Sequence, residues 1–178
     1  MNIANKITIT RLILVPIFIV IMLSNIKYGD IISAILFTMA SLTDKLDGYV
    51  ARRYNQITNL GKFMDPLVDK VMVSSAFIAL IQLGRIQSWI VIVILSREFI
   101  VTGLRTIAAN KGIVIAASNL GKYKTTLQIV AIISLMLNNI PFSYIFFPFS
   151  SIAIYLALFM TVYSGVDYII KCKKIILE

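Results

Sequence analysis

Residues 31–83 read IISAILFTMASLTDKLDGYVARRYNQITNLGKFMDPLVDKVMVSSAFIALIQL. Two apolar runs flank a polar centre, and Asp44, Asp47, Asp65 and Asp69 sit where the runs meet it. The chain has only eight acidic residues, so half of its negative charge falls in this stretch. Asn55-Gln56-Ile57-Thr58-Asn59 carries turn chemistry between the runs. The pattern predicts helices over 31–54 and 60–83, paired as an antiparallel hairpin with the aspartates near its turn.

The rest of the 178 residues extends this pattern. Hydrophobic residues make up 59% of the chain and charged residues 14%, with mean hydropathy +0.90. A soluble domain is closer to about half apolar. Further apolar runs predict helices over 7–24, 87–110, 121–138 and 148–171. Each is about the length that crosses the hydrocarbon layer. The breaks between them hold Tyr28-Gly29-Asp30, Gly84-Arg85, Asn110-Lys111-Gly112 and Asn138-Asn139-Ile140-Pro141. The expected fold is an all-α integral membrane protein with six transmembrane helices, residues 1–178 forming a single transmembrane domain. Lys6 and Arg11 before an apolar run also suit a signal peptide, but Ser24-Asn25-Ile26-Lys27 has no small-x-small cleavage site, so the segment is expected to stay as the first span.

Orientation follows from the basic residues. Lys6, Arg11, Arg52, Arg53, Lys62, Arg105, Lys111, Lys122, Lys124, Lys171, Lys173 and Lys174 fall on one side of a six-span layout, against Lys27 and Arg85 on the other. Both termini are therefore expected in the cytoplasm, with all four aspartates in the cytoplasmic halves of the second and third helices. One cysteine, Cys172, excludes an intrachain disulfide, and the absence of histidine excludes a histidine base or ligand.

Asp44 and Asp47 are at i and i+3, and Asp65 and Asp69 at i and i+4, so each pair shares a helix face. Gly48, Ala51 and Gly61 lie one turn away and leave room for close approach or a ligand. One aspartate at a bilayer centre costs roughly 2.5–3.5 kcal/mol on insertion scales. Four converging carboxylates also repel each other, and hard divalent cations offset both costs. Two such ions suit a phosphoryl-transfer centre. The same acids also fit a divalent-cation transport path, or solvated aspartates paired with Lys45, Arg52, Lys62 and Lys70.

The spacing Asp44-x2-Asp47-Gly48-x2-Ala51-Arg52-x8-Gly61-x3-Asp65-x3-Asp69 resembles the signature of the CDP-alcohol phosphatidyltransferases. Chance agreement at its eight fixed positions is on the order of 10⁻¹⁰ per start. The resemblance implies that fold, and transfer of a phosphatidyl group from a CDP-linked donor to an alcohol with release of CMP. It implies two divalent cations, Mg²⁺ or Mn²⁺, held by Asp44, Asp47, Asp65 and Asp69, with Asp69 also the general base. Gly48, Ala51, Arg52 and Gly61, with the first three aspartates, would bind the CDP group.

The opening MNIANKITITRLIL resembles the Asn-x-Pro-Asn-x-Ile/Leu-Thr-x-x-Arg start of family members that use glycerol 3-phosphate, with Ala4 in place of proline. Asn5, Thr8 and Arg11 would share one face of the first helix, and Asn5 and Thr8 are assigned to the CDP side. Ser96-Arg97-Glu98-Phe99 and Gly121-Lys122-Tyr123-Lys124-Thr125 fit the same subgroup.

Glycerol 3-phosphate is a dianion and needs fixed positive charge. Arg105, Lys122 and Lys124, with Arg97 deeper in the fourth helix, are the candidates for its phosphate. Glu98, next to Arg97 in sequence, is expected to point elsewhere on the helix. The expected reaction joins the phosphatidyl group of CDP-diacylglycerol to the primary hydroxyl of glycerol 3-phosphate, giving phosphatidylglycerophosphate and CMP. Other acceptors compatible with the same chemistry are serine, inositol phosphate and phosphatidylglycerol. The expected partners are both substrates, the lipid bilayer and, by resemblance, a second copy in a homodimer; no nucleic acid is expected. The expected location is a bacterial plasma membrane, with the site facing the cytoplasm.

Overall fold

A computed structural model of the chain describes the backbone of residues 3–24, 26–53, 59–110 and 119–177, and the side chains of residues 7–24, 26–43, 64–109 and 121–170. The described residues form helices α1 (Ile3–Leu23), α2 (Gly29–Arg53), α3 (Asn59–Gln82), α4 (Ser88–Asn110), α5 (Asn119–Met136) and α6 (Phe149–Leu177). These match the six expected segments, with two differences: α1 starts earlier and α6 runs further than the apolar pattern marks. The connection between α5 and α6 also contains a short 3-10 helix, Phe142–Ile145, which the hydropathy pattern does not mark.

The helices pack as two groups of three. α1 lies against both α2 and α3, while α6 lies against α5 and α4. α2 and α3 both reach α5 across the middle. One core joins the groups, with Phe18, Phe37, Met72, Phe77, Leu80, Ile94, Ile132 and Met136 fully buried. Phe18 and Phe37 meet edge to face, centroids 5.8 Å apart. Buried Ala34, Ala40, Ala76, Ala79, Ala131, Ala153 and Ala157 let the helices approach closely, as lipid-embedded packing requires.

The outside is as apolar as the inside. Ile13, Val20, Ile35, Met39, Ile78, Ile92, Phe99, Ile100, Phe159 and Ile170 all face outward. Exposed apolar surface on every helix is what a bilayer covers. Hydroxyls in this setting bond to helix carbonyls: Ser33 to Gly29 at 2.7 Å and to Phe18 of α1 at 3.2 Å, Thr38 to Ala34 at 2.6 Å and Ser41 to Phe37 at 2.8 Å. Among the described residues, Phe149–Ile170 of α6 is the one stretch long and apolar enough by itself to cross a membrane. Ile7–Leu23 and Gly29–Thr43 are shorter apolar segments, and polar residues interrupt the other helices.

One end of the bundle is tied by its turns. Gly84 takes φ +68°, and its N–H bonds to Ile81 O at 2.9 Å while Arg85 N–H reaches Leu80 O at 3.0 Å. That is the glycine-ended close of a helix, and it stops α3 where the Gly84-Arg85 break is read. Arg85 then pairs with Asp30 at 2.7 Å and donates to the Met136 carbonyl at 2.6 Å. It thereby joins the start of α2 to the ends of α3 and α5. Gly29 is needed for a different reason, because a Cβ there would lie 2.9 Å from Ile21 O of α1. Asn139 clamps the last connection, donating to Phe147 O at 2.8 Å and accepting from Ser150 N–H at 2.9 Å.

Candidate active site

At the other end, α3, α4, α5 and α6 surround a cavity of about 570 Å³. Sites for small molecules run from about 300 to 1,000 Å³. Lys70, Arg97, Arg105, Lys122 and Lys124 line it, with Asp69 and Glu98 as its carboxylates. Five cations against two anions make it a place for a dianionic group. Arg97, Arg105, Lys122 and Lys124 are the four residues that the sequence marks for an acceptor phosphate, and they come from two helices to one hollow.

The cations are held by residues that the sequence reading passed over. Lys124 is almost completely buried and forms an ion pair with Glu98 Oε1. Gln128, one turn further along α5, points Nε2 at the same oxygen at 3.5 Å and at Thr161 Oγ1 at 3.4 Å. Lys70 bonds to the Thr102 hydroxyl and to the Glu98 carbonyl, the latter at 3.3 Å. Arg97 Nη2 donates to Ser164 Oγ at 2.8 Å, and Arg105 Nε donates to the buried Tyr168 hydroxyl at 3.1 Å. Each charge taken out of water thus has a partner that fixes its direction.

Glu98 corrects the expectation that it points away from Arg97. Neighbours on a helix diverge by about 100°, yet Arg97 Nη1 lies 3.9 Å from Glu98 Oε2. Both side chains are long, and Arg97 reaches Ser164 of α6 while Glu98 reaches Lys124 of α5, which brings the two heads round the same cavity. The residues missed did carry a signal. Glu98–Thr102–Arg105, Lys124–Gln128 and Thr161–Ser164–Tyr168 are polar positions at helical spacing inside apolar segments.

The acidic side is described in part. Asp65 and Asp69 lie on one face of α3, and Asp69 lines the cationic cavity. Thr8 of α1 is buried and donates to Asp65 Oδ1 at 2.6 Å. Arg11, one turn on, is buried as well. The backbones of Asn5, Asp44, Asp47, Gly48, Ala51, Arg52 and Gly61 are helical, in α1, α2 and α3, and their side chains lie outside the described residues. Among the described residues no cluster of three or more Asp, Glu, Cys or His is positioned for a metal. The described donors nonetheless suit a hard divalent ion. Asp65 and Asp69 are carboxylates one turn apart, and the Thr8 hydroxyl orients Asp65 as a supporting group orients a metal ligand.

An acidic face of α3 that reaches a pocket of cations through Asp69 suits a centre that joins two phosphate-bearing substrates. The chain belongs to the CDP-alcohol phosphatidyltransferase family, whose model matches residues 1–163. It is 48% identical over 182 residues to a CDP-diacylglycerol–glycerol-3-phosphate 3-phosphatidyltransferase of Bacillus subtilis, covering 96% of this chain and 94% of that one. A protein of the same name from Rickettsia bellii is 36% identical, covering 97% of this chain and 96% of its own. A probable phosphatidylglycerophosphate synthase of Mycobacterium tuberculosis is 36% identical, covering 97% and 82%.

Proposed function

We propose that the chain transfers the phosphatidyl group of CDP-diacylglycerol to the primary hydroxyl of sn-glycerol 3-phosphate, giving phosphatidylglycerophosphate and CMP. The observation that carries this reading is the position of Asp69, which belongs to the acidic motif and also lines the cationic cavity. Donor chemistry and acceptor binding meet at that residue.

The donor side consists of Asp44, Asp47, Asp65, Gly48, Ala51, Arg52 and Gly61, with Asn5 and Thr8 from α1. Thr8 holds Asp65 in direction. Two divalent cations, Mg²⁺ or Mn²⁺, on Asp44, Asp47, Asp65 and Asp69 would neutralise the pyrophosphate and its departing charge. On the acceptor side, Arg97, Arg105, Lys122 and Lys124 bind the phosphate of glycerol 3-phosphate. The arginines offer paired N–H donors, and the lysines act as point charges. With that phosphate fixed, the primary hydroxyl is turned towards Asp69. Asp69 takes its proton as the oxygen attacks the lipid-linked phosphorus opposite the CMP oxygen. No histidine exists to do this work, and a carboxylate fills the role.

The same reading takes the six helices as six spans of one catalytic domain in a bacterial plasma membrane. Both termini and the cavity face the cytoplasm, and the protein is a homodimer. The charge division supports this orientation. The cavity end holds Lys70, Arg97, Arg105, Lys122 and Lys124, and Arg85 at the other end is paired with Asp30. Lipid-facing helices let the donor's acyl chains stay in the bilayer while its CDP group reaches α2 and α3.

The test is direct. Purified protein is given CDP-diacylglycerol, Mg²⁺ and a panel of labelled alcohols: glycerol 3-phosphate, serine, inositol phosphate and phosphatidylglycerol. The expected lipid product is phosphatidylglycerophosphate, with CMP released in equal amount. Product from another alcohol alone would overturn the acceptor assignment, and no CMP from any alcohol would overturn the reaction.

A further inference from the structure

One face of α6 stands behind the cations of the cavity. Thr161, Ser164, Gly165 and Tyr168 fall at i, i+3, i+4 and i+7, so they form a single stripe, and all four are buried. The stripe meets Arg105 at one end, Arg97 in the middle and, at the other end, the amide beside the Lys124 ion pair. Tyr168 accepts from Arg105, and its ring centroid lies 4.8 Å from the guanidinium carbon. Ser164 accepts from Arg97 at 2.8 Å. Thr161 accepts from Gln128, whose amide also faces the Glu98 carboxylate that seats Lys124.

Gly165 acts by lacking a side chain. A Cβ there would lie 2.9 Å from Arg97 Cγ and 3.5 Å from its Nε. Real Cβ contacts essentially never come so close. Cγ is near the root of the side chain, so Arg97 could not yield without swinging its guanidinium. Arg97 Nε is buried without a hydrogen-bond partner, so the room left by Gly165 and the Ser164 contact bear directly on the group's position. Ser164, Gly165 and Tyr168 also lie just past residues 1–163, the part the family model matches.

We propose that this α6 stripe is a positioning rail that sets the spacing and direction of the phosphate-binding cations, and so sets selection for a phosphorylated acceptor. The proposal rests on the acceptor reading of the cavity. Arg97 and Arg105 are two turns apart, about 12 Å along α4. Ser164 and Tyr168 are one turn apart on α6, so their contacts draw the two guanidinium groups inward from that wider spacing. None of the stripe residues is assigned contact with the reacting atoms; Ser164, Gly165 and Tyr168 act through an arginine, and Thr161 acts through Gln128.

The test uses the full chain, purified, with each substrate varied in turn. Gly165→Ala and Tyr168→Phe are each expected to raise KM for glycerol 3-phosphate about tenfold, a shift of about 1.4 kcal/mol. KM for CDP-diacylglycerol and kcat should stay within about twofold, well short of that tenfold step. In an Arg97→Ala background the Gly165→Ala increment is expected to vanish, since the group it displaces is gone. An undiminished increment in that background would mean that Gly165 merely packs, and would overturn the proposal. Tyr168→Phe removes only a hydroxyl, so it remains informative if Gly165→Ala does not fold. An unchanged acceptor KM in the α6 variants, with Arg97→Ala and Arg105→Ala raising it, would overturn the rail and leave the acceptor reading standing. An unchanged acceptor KM in the arginine variants would overturn both.

Discussion

The α1–α3 half and the α4–α6 half work by different kinds of pattern. In the first half the chemistry is written as a fixed spacing of aspartates and small residues on two consecutive helices. In the second it arises only when α4, α5 and α6 converge, because Arg97 and Arg105 of α4, anchored on α6, and Lys122 and Lys124 of α5 come from separate helices and meet around one cavity. A local motif can be read before folding, whereas a convergent one is visible only through the contacts that build it. Both halves hold charge below the surface: Thr8 of α1 donates to Asp65, and Lys124 is buried against Glu98 with Gln128 and Thr161 behind it.

The sharpest way to break this division is at the residue the halves share. Asp69→Asn keeps the shape and removes the proposed base. It is expected to lower kcat by about 10²–10⁴-fold, the usual range for a general base. Binding of a cytidine nucleotide should be largely kept, because Asp44, Asp47 and Asp65 remain. Near-normal turnover in a single-turnover assay would remove Asp69 from that role.

A smaller effect belongs to the cationic half alone. Glu98→Gln leaves Lys124 buried without its counter-charge. Breaking one side of a buried pair costs about 3–5 kcal/mol, and Glu98 is partly exposed, so about 2–3 kcal/mol is expected. The loss should appear as a lower unfolding temperature in detergent, together with a raised KM for glycerol 3-phosphate. An unchanged melting curve would show that Lys124 does not depend on Glu98.

The smallest effect is expected at the far end of the bundle. Arg85→Ala cuts the tie among α2, α3 and α5, and should destabilise by about 1–2 kcal/mol through lost charged hydrogen bonds. For a chain of this size that is a fall of a few degrees, at about 2–4 °C per kcal/mol. Both KM values should be unaltered, because the tie is far from the cavity. A change in acceptor KM would mean that the two ends are coupled.

The same contrast explains what the sequence could tell. Six helices were legible because long apolar runs end at turn residues, and at Tyr28, Gly84 and the Asn138-Asn139 pair the structure shows the left-handed backbone of such breaks. The membership implied by the Asp44–Asp69 spacing was legible because that spacing is local. Arg97, Arg105, Lys122 and Lys124 could be picked out as charges without visible anchors. Their anchors could not be picked out, since Ser164 and Tyr168 are bland positions in an apolar helix until α4 packs on α6. Gly165 has no side chain to notice, and its role depends on where Arg97 runs. The 3-10 helix at Phe142–Ile145 was illegible for another reason: hydropathy marks the connection as apolar and carries no backbone information.

The most direct test of the division is a crossed measurement of both substrates in two variants. Arg105→Ala is at an exposed position on the cavity wall, and Asp65→Asn is in the acidic motif. Losing charged hydrogen bonds worth about 1.4 kcal/mol or more is a tenfold change. Arg105→Ala should therefore raise KM for glycerol 3-phosphate about tenfold or more, leaving KM for CDP-diacylglycerol unchanged. Asp65→Asn should weaken the lipid donor and its metal dependence, with little effect on the affinity for glycerol 3-phosphate. If each variant shifts both substrates equally, or the pattern is reversed, the assignment of acids to donor and cations to acceptor is wrong.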